Sequence, residues 1–117
     1  MNNVGSIIYE KNFQTGELKA QWNYNINDQV LSGTGIAKGI SGNQFAGDYV
    51  ITYYTNGLEE TASYKLVISE KEGQILLQWY DNEVLAYCGI GIIKYNFLIA
   101  GWSQHIDENV ANQTIKG

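Results

Sequence analysis

The sequence predicts an all-β domain, an antiparallel up-and-down meander of about eight strands closing into a small barrel. Two observations carry that expectation. Apolar and polar residues alternate with a period of two in one segment after another. The segments are separated by short runs of Gly, Asn and Asp, in a chain with thirteen Gly and no Pro, which suits tight hairpins. No segment carries the apolar spacing of a convincing amphipathic helix.

The elements follow in order. A first strand is expected around Ile7–Tyr9. Leu18, Ala20, Trp22, Tyr24 and Ile26 then alternate with Lys19, Gln21, Asn23 and Asn25, a half-buried strand. Val30–Lys38 follows across Asn27-Asp28. In the next run Tyr49, Ile51 and Tyr53 share one face and Asp48, Val50 and Thr52 the other. Tyr64, Leu66 and Ile68 repeat the pattern, as do Ile75, Leu77 and Trp79. Thr55-Asn56-Gly57 carries the Asn-Gly pair favoured in type I′ turns. Glu70–Gly73, Asp81–Glu83 and Tyr95-Asn96 join the later strands. Two further strands are expected over 85–94 and 97–103, with their inner face open: Leu85, Tyr87 and Ile93 compete with Cys88, Ile90 and Ile92. Connections this short make sequential neighbours antiparallel. Residues 1–104 read as one barrel domain and residues 105–117 as a polar C-terminal tail.

Composition narrows the function classes. The chain has 117 residues, one ordinary domain, with 44% hydrophobic and 16% charged residues, which argues against disorder. Its net charge of −5 with seven Lys plus Arg leaves no basic stripe for nucleic acid and little attraction to an anionic membrane. One Cys excludes an internal disulfide framework. The opening residues show no charged stretch followed by a long apolar one, and no apolar run reaches membrane-spanning length. A cytoplasmic protein is the expectation.

The aromatic share of 13%, with nine Tyr, three Trp and three Phe, is the main functional clue. Trp22, Tyr24, Tyr49, Tyr53, Tyr64 and Trp79 fall on the inward face that the alternation defines. An eight-stranded barrel is either filled by side chains or holds one small ligand, and Tyr hydroxyls and indole N–H groups inside it need partners. These six are the candidate ligand-binding residues. The alternative is a closed core whose polar tips reach the barrel ends.

Other features have plainer readings. Gly33 and Gly35, like Gly89 and Gly91, lie two apart on a strand, as at barrel kinks or where a neighbouring ring covers the backbone. Neither pair leads into a helix, so neither is a phosphate loop. Gly33–Lys38 resembles Gly89–Lys94, and a Gln-Trp pair precedes each (Gln21-Trp22, Gln78-Trp79), a faint two-fold repeat. Cys88 reads as a buried inert thiol. His105, the only His, reads as a surface residue without partners for a metal site. Carboxylates such as Asp48 and Asp81 are scattered, and Glu59-Glu60 reads as a solvated hairpin shoulder. No catalytic residue, metal ligand or cofactor is assigned.

Ser32–Ala37, Gly47–Ile51, Gly89–Ile92 and Leu98–Trp102 together resemble uncharacterised small bacterial proteins of the lipocalin-like or avidin-like barrel type. More faintly, Gly35-Ile36 followed by Gly47-Asp48-Tyr49 is similar to barrel-shaped negative regulators of bacterial virulence gene expression, which bind a partner protein. The resemblance implies the barrel. The biotin-binding pattern of avidins is not present. The leading expectation is a non-enzymatic module holding a small apolar molecule. The second is a protein–protein interaction or regulatory protein with a solid core, with homo-oligomers open to either. An enzyme ranks last.

Overall fold

The computed structural model describes residues 3–57 and 61–105. Eight strands follow one another: β1 (Val4–Lys11), β2 (Leu18–Ile26), β3 (Gln29–Lys38), β4 (Gly47–Thr55), β5 (Thr61–Lys71), β6 (Gln74–Asp81), β7 (Val84–Lys94) and β8 (Phe97–Gln104). Each pairs antiparallel with the next, and β8 returns to β1, so the sheet is a closed up-and-down barrel. Closure leaves no unpaired edge strand for another chain to extend.

The turns explain the register. Asn27-Asp28 and Asn82-Glu83 have positive φ at both residues, as does Glu72-Gly73. This is the backbone of type I′ hairpins, whose twist matches that of the strands. Asn, Asp and Gly tolerate it readily, whereas Glu72, Glu83 and Tyr95 adopt it without that advantage. Gly57 also has positive φ, at +77°, while residues 58–60, including Glu59-Glu60, lie outside the described residues. So does the expected tail beyond His105, whose own amide donates to Ala86 O at 2.8 Å.

Alternation sends Leu18, Ile51, Leu66, Ile68, Leu77 and Leu98 inward, each at most 2% exposed. Burying such a side chain contributes about 1.5–3 kcal/mol. This aliphatic core fills one end of the barrel. Phe45, from the connection between β3 and β4, closes that end at 2% exposure. Tyr49 Oη donates to Phe45 O at 2.7 Å, and Lys11 Nζ donates to Gln44 O and, at 3.4 Å, to Tyr49 Oη. Three hydrogen bonds thus tie the plug beneath the barrel. Burial pushes the Lys11 ammonium pKa down.

The open orientation of the last strands is resolved by a bulge. Trp79 pairs with Tyr87 but Tyr80 pairs with Leu85, so Ala86 is the extra residue. Directly paired residues share a face, and Tyr87, Gly89, Gly91 and Ile93 therefore face the interior. Leu85 shares the outer face of Tyr80, as Cys88, Ile90 and Ile92 do on their side of the bulge. Burial raises the Cys88 thiol pKa.

Candidate functional site

The other end of the barrel is built from rings. Seven aromatic side chains on six strands line a half-enclosed cavity of about 190 Å³: Trp22 and Tyr24 on β2, Tyr53 on β4, Tyr64 on β5, Trp79 on β6, Tyr87 on β7 and Trp102 on β8. Ile7, Leu31, Ala62, Thr55 and Thr61 complete the wall. None of these lining residues is charged.

The rings form a nearly continuous belt. Trp22 meets Tyr53 edge-on at 6.3 Å, Tyr53 lies 6.1 Å from Tyr64, and Tyr64 meets Tyr87 edge-on at 5.7 Å. Tyr87 stands against Trp102 at 5.2 Å, and Trp102 stacks on Tyr24 at 4.3 Å. Edge-to-face and offset contacts suit the ring quadrupoles. Such rigid flat groups touch in a circle yet cannot interdigitate as aliphatic side chains do, so a space remains between them.

Glycine makes room for the belt. Trp22 pairs with Gly33 across β2 and β3, Tyr53 with Gly35 across β3 and β4, and Trp102 with Gly5 on one side and Gly89 on the other. A β-carbon at Gly5 would collide with the Trp102 indole, and one at Gly33 with the Tyr54 carbonyl oxygen. At Gly33, Gly35 and Gly89 a neighbouring ring therefore covers bare backbone, whereas Gly91 lies against Leu98 and Ala100. The faint repeat has a counterpart in space: Trp22 lies over Gly33 of β3, and Trp79 touches Gly89 of β7.

Polar atoms within this wall are few. Trp22 Nε1 donates to Thr34 O at 3.0 Å. At the base of the cup Trp79 Nε1 donates to Tyr53 Oη at 2.7 Å, and the hydroxyls of Tyr53 and Tyr9 lie 2.6 Å apart. Trp102 Nε1 is buried without an acceptor among the described residues. Burial raises the phenol pKa of Tyr9, Tyr24 and Tyr53. It also pushes Tyr64 up to about 12, with Tyr87 adding to the shift. The rings therefore stay neutral, and a charge in this space lacks compensation.

Five of the six residues singled out in the sequence line the cavity: Trp22, Tyr24, Tyr53, Tyr64 and Trp79. Tyr49 sits at the opposite end, in the plug. Sequence reasoning missed Trp102 and left Tyr87 undecided. The alternation of Leu98, Ala100 and Trp102 was the available signal for β8. On β7 the inward positions Gly89 and Gly91 carry no side chain, so the apolar pattern is displaced onto the outward Ile90 and Ile92. Tyr9, fully buried behind the cup, also escaped notice. Among the described residues no group of three or more His, Cys, Asp or Glu could hold a metal ion, and no helix is long and apolar enough to cross a membrane. No protein-family model, curated protein or solved structure matches the chain.

Proposed function

We propose that this protein is a non-enzymatic binding module that holds one small, uncharged, largely apolar molecule in the aromatic cup. The observation that carries the reading is a half-enclosed cavity of about 190 Å³ walled by seven rings and, among the described residues, no charged side chain. Sites for drug-sized ligands start at about 300 Å³, whereas an apolar cavity of about 150 Å³ accepts benzene. The cup therefore suits a single ring with a short substituent. The resemblance to lipocalin-like and avidin-like barrels supports the same reading, and a cytoplasmic site of action is compatible with the free Cys88.

The test is native mass spectrometry of protein purified without denaturation, beside Ala62→Phe. Ala62 is exposed and belongs to the cavity wall, so the larger ring narrows the mouth without entering the core. The expected result is an added mass that leaves on unfolding and is absent from the variant. An added mass held equally by Ala62→Phe would place the ligand elsewhere and overturn the reading.

A second reading, a protein–protein interaction module, is favoured by one observation. Ile92 and Ile99 pair across β7 and β8 on the outer face, beside Ile90, at 65%, 47% and 57% exposure respectively. A discrete dimer in the same spectra, abolished by Ile92→Lys, would support it.

A further inference from the structure

Three polar hydrogens and two phenolic oxygens meet at the base of the cup, and their arrangement limits which ligand can fit. Trp79 Nε1 can only donate, and its acceptor is Tyr53 Oη at 2.7 Å. The contact of 2.6 Å between the Tyr53 and Tyr9 hydroxyls can run in either direction. Were Tyr53 the donor, the Tyr9 hydrogen would have no acceptor among the described residues. Tyr9 is 0% exposed, so water could not take that hydrogen, and a buried donor without a partner carries the full desolvation penalty. With Tyr9 as donor, both lone pairs of Tyr53 are used and the Tyr53 hydrogen is released. Tyr53 lines the cavity and Tyr9 does not. The released hydrogen is thus the one that a molecule in the cup can reach. Burial raises the pKa of both phenols, which keeps both hydrogens in place at neutral pH.

We propose that Tyr53 presents a free O–H to the cup, and that the site selects a neutral single-ring molecule bearing a hydrogen-bond acceptor such as a carbonyl oxygen. This rests on the binding reading above and sharpens it. A ligand that can only donate finds Tyr53 Oη already accepting from Trp79 and Tyr9. An anionic ligand would bring a charge into a wall without Lys, Arg or His among the described residues, where no cation offsets its desolvation cost.

The experiment compares acetophenone with α-methylstyrene, the same shape with a methylene in place of the carbonyl oxygen. Binding is followed through the indole N–H signals of Trp22, Trp79 and Trp102, all of which line the cavity. Wild-type protein is expected to prefer acetophenone by about fivefold, the scale of one net hydrogen bond. Tyr53→Phe reduces the preference, with the Trp79 N–H that it frees as the remaining donor at the base of the cup. Tyr9→Phe keeps the preference, because removing the hidden donor leaves the Tyr53 hydrogen where it was. The opposite hydrogen-bond direction gives a different pattern: no preference in wild type and a new one in Tyr9→Phe, which would overturn the proposal while leaving the binding reading intact. Benzoate binding as tightly as acetophenone would likewise overturn the selection for a neutral ligand. Indole signals unmoved by either uncharged probe in all three proteins would defeat the binding reading itself.

Discussion

The two ends of this barrel are made from the same strands yet solve opposite problems. On β5 the inward residues are Tyr64, then Leu66 and Ile68. On β6 they are Trp79 after Ile75 and Leu77. On β8 they are Trp102 after Leu98 and Ala100. At the aliphatic end, flexible branched side chains and the Phe45 plug reach close packing. At the aromatic end, flat rings brace one another around the wall and leave the middle open. Backbone topology is shared by the two ends, so the difference lies in side-chain shape alone. A closed barrel becomes a cup when its inward positions change from aliphatic to aromatic partway along strands such as β2, β5, β6 and β8 and glycines on β1, β3 and β7 admit the rings.

The largest expected effect tests this contrast directly. Leu66 is 0% exposed, and Leu66→Ala should destabilise the fold by about 2–5 kcal/mol through lost burial and a cavity that cannot collapse. Tyr64 lies two residues away on the same face of β5 and borders space that is already open. Tyr64→Leu should cost less than half as much in denaturant unfolding. Equal losses at the two positions would mean that the aromatic end is a packed core, and the distinction between the ends would fail.

Alkaline unfolding gives an intermediate test. Burial, reinforced by Tyr87, moves the Tyr64 phenol from 10.0 to about 12. The folded protein therefore keeps a proton that the unfolded chain gives up above pH 10. This contribution is fully present below pH 10 and lost as pH rises through about 12. Tyr64→Phe should flatten the fall in denaturant midpoint across that interval. The slope will not vanish, since Tyr9, Tyr24, Tyr49 and Tyr53 shift in the same direction. An unchanged slope would show that water solvates the Tyr64 hydroxyl in the cup.

Most of the barrel was legible because a period of two converts directly into inside and outside. It was most legible on β2, β4, β5 and β6, where large inward residues alternate with polar ones. Legibility failed where the inward residue is glycine. On β7, Gly89 yields the interior to Trp79 and Trp102 and Gly91 to Leu98, and a bulge at Ala86 reverses the phase. Both facts depend on neighbouring strands, which local pattern does not contain. The division into two ends was hidden for a similar reason. Tyr49 and Tyr53 occupy the same face of β4, four residues apart, and only strand order and the return of Phe45 place one in the plug and the other in the cup. Alternation tells which face a residue occupies. Its height along the barrel comes from the registers of all eight strands together.

The smallest expected effect concerns the polar group under the aliphatic end. Lys11 is 3% exposed, with its ammonium donating to Gln44 O and Tyr49 Oη and lying 5.8 Å from the Tyr49 ring centroid. Burial lowers its pKa below 10.5, so the unfolded chain binds the proton more tightly than the folded one. Stability should therefore rise with pH in the interval just below 10.5. Lys11→Met removes that charge and its desolvation penalty but leaves Gln44 O without its donor, two effects of opposite sign. The net change at neutral pH should lie within about 1 kcal/mol of zero, and the rise of stability with pH should disappear. A loss as large as that of Leu66→Ala would instead make the lysine the anchor of the Phe45 plug. The closed end would then be held by a charge and two oxygens as much as by its leucines, and side-chain shape alone would no longer account for the difference between the two ends.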